Sequence, residues 1–434
     1  MTRPQILSVP ERLDADLLLT GRGVCIAFVD SGFYPHPDLM QPARRILAYL
    51  DVARDQPLAA DFLSAQVFGW HGTMASCCAA GNGYLSGGRY RGLASEADVV
   101  LIKASTERGK ILGKNVARGI RVPLHHPELP IRIVNVSLGV DRDDPDYEDV
   151  EAAVAEVVAA GITVIAAAGN DAGRVPGAPG SAAGAITVGG VDDHNTPDPG
   201  DDQPWPSSYG SPRPGVHKPD LLAPAIWLPA PMLPGTLTAR EAAPLFQLLS
   251  VLEESASSHT FSPDREEDER EERASVRAML EAVYARMRRC KYISPDYQHV
   301  DGTSFAAPIT TSVAAQMLEA NPTLTPEQIR RGLMSTAEPL PGVDPELQGA
   351  GMLHPRAAVT WAKRQRRRAS LPPQATLTGS LIAPRSPLPP PTIAQAPEEA
   401  PATAPARTPS KPPSSRGSVK PPSSRKSKRF DPFR

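Results

Sequence analysis

The sequence has few cysteines, no long apolar run and no recognisable secretion signal. Only four cysteines occur in 434 residues, two of them adjacent as Cys77 and Cys78, so the chain lacks the pattern of a secreted disulfide framework. No apolar stretch reaches membrane-spanning length. Residues 1–23 lack the charged start, apolar segment and small-residue cleavage site of a signal peptide. These absences predict a cytoplasmic protein with reduced thiols and no transmembrane segment.

The net charge of −2 hides an uneven distribution. Residues 1–362 carry 31 basic and 45 acidic side chains, whereas residues 363–434 carry 15 basic and 3 acidic ones. Sixteen prolines follow position 371, a composition that cannot build a core, so residues 363–434 are predicted to be a disordered tail. Two interpretations of this tail stay open: an inert spacer, or an electrostatic tether to an acidic partner. Because aromatic residues are nearly absent there, specific nucleic-acid binding is not expected.

Strand-like and helix-like runs alternate along the acidic part of the chain. Strand-like runs, mostly apolar, occur at residues 24–29, 99–103, 131–137 and 162–168, and helical patterns lie between them. Alternation of this kind predicts an α/β fold of three layers, in which a mostly parallel sheet is covered by helices on both faces.

Three residues in separate small-residue motifs have the chemistry of serine acyl transfer. Asp30 follows the first apolar run, at the end of a strand where α/β sheets place their chemistry. His71 opens a run of small residues that predicts a buried helix, and Ser304 precedes a predicted helix start. A helix N-terminus favours a developing negative charge. Asp30 would orient His71, and His71 would take the proton of Ser304.

The chain order Asp, His, Ser is that of subtilisin, and the surrounding motifs resemble those of the subtilisin-like serine proteases, the subtilase family. The resemblance runs from Gly23 to Trp361 and includes segments 30–32, 36–39, 71–73, 135–139, 167–170, 218–224 and 302–308. It implies a short N-terminal extension at residues 1–22 and a peptidase domain at residues 23–362.

The same resemblance implies further roles around the nucleophile. The Asn170 side chain would donate to the oxyanion of the tetrahedral intermediate. The residues expected to bind the substrate backbone lie on two segments: Ser137, Leu138, Gly139, Ala168 and Gly169. Edge pairing with a peptide binds the main chain and tolerates many sequences. Phe305 stands where family members usually have methionine.

An insertion at about residues 228–297 interrupts the family pattern. Its second half begins with acidic residues and ends with basic ones, the order that a helix dipole favours. One apolar stripe at helical spacing lies between them: Val276, Met279, Leu280, Val283, Tyr284 and Met287. The pattern fits a helix packed on its own domain, or a lid or docking element beside the cleft.

Two classes of function are consistent with these patterns. The first is a serine endopeptidase that hydrolyses polypeptides through an acyl-enzyme intermediate. The second is a catalytically silent scaffold of the same fold, which the complete set of catalytic groups disfavours. No cofactor or metal is expected to be required. Asp38 falls where some family members have a calcium ligand, but no acidic cluster with calcium-loop spacing accompanies it.

Overall fold

The computed structural model describes residues 6–54, 65–257 and 266–368. Residues 369–434, which contain most of the predicted tail, lie outside the described residues. No helix in the described ranges is long and apolar enough to cross a membrane.

Within the described residues, twelve strands are found. In chain order they are β1 (Cys25–Asp30), β2 (Ile46–Asp51), β3 (Asp98–Lys103), β4 (Ile131–Val136), β5 (Thr163–Ala167), β6 (Ile186–Asp192), β7 (Gln203–Pro204), β8 (Gly210–Arg213), β9 (Val216–Lys218), β10 (Leu221–Pro224), β11 (Leu228–Pro231) and β12 (Tyr297–Val300).

The α-helices of the described residues surround these strands. In chain order they are α1 (Val9–Arg12), α2 (Pro37–Met40), α3 (Trp70–Ala80), α4 (Gly113–Ile120), α5 (Val122–His125), α6 (Tyr147–Ala159), α7 (Leu237–Ser257), α8 (Glu266–Arg289), α9 (Thr303–Ala320), α10 (Pro326–Thr336), α11 (Pro345–Gln348) and α12 (Pro355–Arg368). Helix α12 continues across the predicted boundary between residues 362 and 363, and Ala362 is fully buried.

The central sheet has eight strands in the order β10-β6-β5-β4-β1-β3-β2, with β7 antiparallel to β6 at one side. All other pairs in this sheet are parallel, which confirms the predicted mostly parallel α/β architecture. From β1 the chain adds β3 and β2 on one side, and later β4, β5 and β6 on the other. The strand order therefore reverses between β1 and β4, and ligands of open α/β sheets bind at such a point.

Two apolar cores cover the two faces of the sheet. Alternate residues of β1 divide between them: Ile26 and Phe28 join the core under α3 and α9, whereas Ala27 and Val29 join the core under α4 and α6. Because both faces are buried, β1 is apolar from Cys25 to Val29 and shows no alternation in sequence. Helix α9 is buried on almost all sides, so it forms a rigid support for the residues at its N-terminus.

The insertion forms a helical hairpin on a two-stranded base. Strands β11 and β12 pair antiparallel, with Leu228 opposite Val300 and Pro231 opposite Tyr297. Helices α7 and α8 pack on each other around an apolar cluster. Its buried members are Met232, Ala242, Phe246, Leu249, Leu252, Val276, Val283, Tyr284, Met287 and Tyr292, which include most of the predicted stripe. Met279, predicted within the stripe, is instead 45% exposed, because α8 packs mainly against one neighbouring helix.

Candidate active site

The site lies where β1, β4 and β5 end and α9 begins. Asp30 is the last residue of β1 and is 1% exposed. Helix α3 approaches the end of β1 so closely that a Cβ at Gly72 would lie 2.3 Å from the Gly32 carbonyl oxygen and 2.8 Å from Asp30 Cβ. A glycine after His71 is therefore required for the imidazole to reach the Asp30 carboxylate.

His71 and Asp30 form a close pair. The His71 Nδ1 atom lies 2.8 Å and 2.9 Å from the two carboxylate oxygens of Asp30. Burial alone would lower the pKa of His71, but the charge of Asp30 and its hydrogen bond outweigh this effect and raise that pKa above its ordinary value. The carboxylate thus stabilises an imidazolium, the form that a general base takes after it accepts a proton.

Ser31 is a further residue at this pair that the sequence analysis did not identify. Its backbone N–H donates to Asp30 Oδ1 at 2.6 Å, and its hydroxyl oxygen lies 3.1 Å from the same carboxylate oxygen. The Ser31 hydroxyl also lies 2.7 Å from the Phe68 carbonyl oxygen. These contacts orient the carboxylate toward His71. The signal available in the sequence was only the position of Ser31 beside Asp30.

Ser304 is the second residue of α9 and is half-buried. Its hydroxyl donates to the Ser137 carbonyl oxygen at 3.3 Å. The ring of the adjacent Phe305 lies 5.5 Å from the His71 ring, measured between centroids. The fold therefore brings the three predicted catalytic residues to one end of the sheet. In unliganded enzymes, the bond from nucleophile to base is often long and tightens only when substrate binds.

Asn170 is tied to the residue before the nucleophile. Its Oδ1 accepts hydrogen bonds from the Thr303 N–H at 2.9 Å and from the Thr303 hydroxyl at 3.1 Å. The Gly169 N–H in turn donates to Thr303 Oγ1 at 3.1 Å. A backbone N–H is only a donor, so the oxygen of the Asn170 amide must face Thr303 and the Nδ2 group must face away from it.

A cavity of about 240 Å³ adjoins Ser304. Most of its lining comes from two chain segments, residues 137–141 after β4 and residues 167–171, which begin at the last residue of β5. All the predicted substrate-binding residues line it: Ser137, Leu138, Gly139, Ala168 and Gly169. Asn170 and Ser304 line it as well.

The cavity has charged residues that the sequence analysis did not identify. Asp141, Asp171 and Arg174 also line it, and Arg174 Nη2 lies 3.0 Å from Asp141 Oδ1. Both side chains of this pair are more than half exposed, so the pair is weak and can rearrange around a bound side chain. Its members are 33 positions apart, and no sequence motif links them.

One group of possible metal ligands occurs among the described residues. His36, Asp38 and Cys77 each place a ligand atom within 4.8 Å of the others, and all three are buried. The Asp38 oxygens already accept hydrogen bonds from the Tyr297 hydroxyl at 2.7 Å and the Leu85 N–H at 3.4 Å. Nitrogen and sulfur ligands do not suit calcium, which prefers oxygen. Calcium at Asp38 thus gains no support from these neighbours, and the expectation that no metal is required stays a prediction.

The neighbouring cysteines are protected from reaction by burial. Burial raises the pKa of the Cys77 thiol well above its ordinary value and raises the pKa of the Cys78 thiol to about 12. Because the thiolate is the reactive form, both thiols are inert packing groups at neutral pH.

Comparison with known proteins agrees with this architecture. The model of the subtilase family matches residues 21–351. The chain is 30% identical over 353 residues to the serine protease AprX of Bacillus subtilis (strain 168), an alignment that covers 79% of this chain and 67% of that protein. A shorter alignment, 32% identical over 127 residues, covers 28% of this chain and 29% of subtilisin-like protease 3 of Pseudogymnoascus destructans. The chain therefore belongs to the subtilase family, and its class of enzyme is the subtilisin-like serine endopeptidase.

A solved structure shares the fold. A protease from the bacterium Pseudoalteromonas arctica aligns with a TM-score of 0.52 and 22% identity, over 82% of this chain and 94% of that one. This likeness concerns the fold alone.

Proposed function

We propose that the chain hydrolyses polypeptides through a catalytic triad of Asp30, His71 and Ser304. The observation that carries this proposal is the 2.8 Å contact between His71 Nδ1 and the Asp30 carboxylate, at the same end of the sheet as the Ser304 hydroxyl. His71 Nε2 takes the Ser304 proton as Ser304 Oγ attacks the scissile carbonyl carbon. The protonated imidazole is stabilised by Asp30 and then gives the proton to the leaving amine.

The resulting acyl-enzyme is hydrolysed by the same groups. His71 removes a proton from water, the hydroxide attacks the ester carbonyl carbon, and Ser304 regains its proton from the imidazolium when it leaves. In both steps the carbonyl oxygen gains negative charge. We propose that the Asn170 Nδ2 group and the Ser304 backbone N–H donate to it, since both are at the N-terminal end of α9, where unpaired N–H groups favour an anion.

The cavity beside Ser304 would hold the substrate side chain that precedes the scissile bond. We propose that Ser137, Leu138 and Gly139 form one wall and bind the substrate backbone, while Ala168 and Gly169 form the opposite wall. The small side chains of the second wall leave room for a large substrate side chain, and the volume of about 240 Å³ supports this.

The proposal is tested by active-site labelling. The purified chain is incubated with a fluorophosphonate, and the modified residue is mapped by mass spectrometry of peptides. We expect labelling at Ser304, and its loss in Ser304→Ala together with nearly all peptidase activity, a fall on the order of a millionfold. Labelling at another serine, or activity that survives in Ser304→Ala, would contradict the mechanism. A chain that neither labels nor cleaves peptides would be the catalytically silent scaffold.

A further inference from the structure

The carbonyl group of Ser304 lacks its normal partner in helix α9. In an α-helix this oxygen accepts from the N–H four residues later, but position 308 is a proline and has no N–H. The Ser137 hydroxyl replaces the missing donor and lies 2.8 Å from the Ser304 carbonyl oxygen. In the peptide unit that follows the nucleophile, the N–H of Phe305 donates to the Gly302 carbonyl oxygen at 3.0 Å, whereas the Ser304 carbonyl oxygen is held by a side chain from the substrate-binding segment and not by its own helix.

The Ser137 hydroxyl belongs to a chain of buried hydrogen bonds. Asn135 Nδ2 donates to Ser137 Oγ at 3.1 Å, and the Thr311 hydroxyl donates to Asn135 Oδ1 at 2.9 Å. Asn135 is 1% exposed and Thr311 is 0% exposed. Thr311 lies two turns after Ser304 along α9. The chain of bonds thus leaves the nucleophile helix, crosses β4, and returns to the nucleophile.

Only one direction of donation satisfies these four groups. A carbonyl oxygen only accepts, so Ser137 must give its single proton to Ser304. Ser137 Oγ must then accept from Asn135, and only the Nδ2 group of that amide can donate. The oxygen of the amide therefore faces Thr311, whose hydroxyl donates to it. In this series of hydrogen bonds, each donor therefore determines which atom of the next residue accepts and which one donates.

We infer that Asn135 and Thr311 are positioning residues for the serine-protease reaction. They keep the Ser137 proton directed at the Ser304 carbonyl oxygen. The peptide unit after Ser304 is thereby held at a fixed position relative to Ser137, which lines the substrate cavity. Neither residue lines that cavity, so they act through Ser137 and not on the substrate. The inference rests on the proposed function, because it assigns a role in the reaction of Ser304.

The primary test replaces the Thr311 hydroxyl with a methyl group. Thr311→Val keeps the shape of the side chain but leaves Asn135 Oδ1 without its donor. We expect kcat for a neutral peptide and the rate constant of fluorophosphonate labelling to fall together, by roughly two- to tenfold, the factor for one neutral hydrogen bond. KM should stay unchanged, since the cavity walls are intact. Thr311→Ser restores the hydroxyl and should recover most of kcat.

Thr310 provides a matched control on the same helix. It is equally buried, but its hydroxyl donates at 3.2 Å to the Ala306 carbonyl oxygen of its own helix. Thr310→Val therefore removes a buried hydroxyl of the same kind without breaking the chain of bonds, and its kcat should remain that of the wild type. An equal fall of kcat in Thr310→Val and Thr311→Val would show that general destabilisation of α9 is responsible, and would overturn the inference.

Asn135→Asp gives a second test that does not depend on Thr311. A carboxylate accepts from the Thr311 hydroxyl but cannot donate, so it draws the Ser137 proton away from the Ser304 carbonyl. We expect kcat to fall at least as much as in Thr311→Val. Wild-type kcat in either variant, or a change confined to KM, would overturn the positioning role. If wild type is not labelled at Ser304, the proposed function fails and the inference with it. Normal wild-type labelling with an unaltered rate in Thr311→Val refutes the inference alone.

Discussion

The structure separates the two roles that Asn170 could have, and one substitution tests them. Asn170 Oδ1 accepts two hydrogen bonds from Thr303, at 2.9 Å and 3.1 Å, while its Nδ2 group has no hydrogen-bond partner in the described part of the chain. Asn170→Asp keeps an oxygen toward Thr303 and replaces the Nδ2 donor with a second oxygen. It therefore preserves the structural contacts and removes the donor proposed for the oxyanion.

The expected effect on catalysis is large. Loss of one oxyanion donor costs about 2.7–4 kcal/mol of transition-state stabilisation, a hundred- to thousandfold in kcat. The carboxylate also repels the developing oxyanion, so Asn170→Asp should lose at least a hundredfold. Asn170→Ala should lose a similar factor and also the two contacts with Thr303. Each contact is worth about 1 kcal/mol of folding stability, and less here because Asn170 is exposed.

The assay measures kcat and KM on a neutral fluorogenic peptide, with thermal unfolding recorded for the same samples. We expect both variants to have reduced kcat and near-normal KM, and only Asn170→Ala to have a lower Tm. Full activity in Asn170→Asp, combined with loss in Asn170→Ala, would show that Asn170 acts only by holding Thr303. The oxyanion assignment would then be wrong.

Four other outcomes are expected. Peroxide should inactivate the enzyme slowly, because Phe305 cannot form a sulfoxide, and Phe305→Met should be inactivated faster; equal rates would show that this position does not govern sensitivity. Since the pKa of His71 is raised above 6.5 by Asp30 and catalysis needs the neutral imidazole, kcat/KM should fall with decreasing pH through a pKa above that value. Asp30→Asn should lower kcat on the order of ten thousandfold and shift this limb to lower pH, because only the effect of burial remains; an unmoved limb would contradict the assignment. Asp51→Asn should destabilise the fold by about 3–5 kcal/mol in chemical unfolding, because Lys103, whose Nζ lies 2.6 Å from the buried Asp51 carboxylate, loses its counter-charge; a loss under about 1 kcal/mol would contradict this reasoning.

The fold class could be predicted, and the candidate catalytic side chains could be proposed, because their signals are local in sequence. Buried parallel strands are mostly apolar runs, so β1, β3, β4 and β5 could be predicted from composition and length. Asp30, His71 and Ser304 each stand in a motif of small residues that permits close approach of the backbone, as Gly72 illustrates. The first helix of the insertion was not predicted. Pro244 lies within it, a residue that argues against a helix interior, and the helix packs against α8.

Contacts between distant segments can be known only from the folded chain. Asn135 and Thr311 are 176 positions apart, and buried asparagines and threonines satisfy their hydrogen bonds in many ways, so no pattern could pair them. The same holds for Arg174 and Asp141 at the cavity. The residue types that the proposed chemistry needs are visible in the sequence, because that chemistry depends on residue type. Only the folded chain determined which groups hold them, because a hydrogen bond requires two atoms to meet within about 3 Å, and that distance is set by the packing of α9 against the sheet.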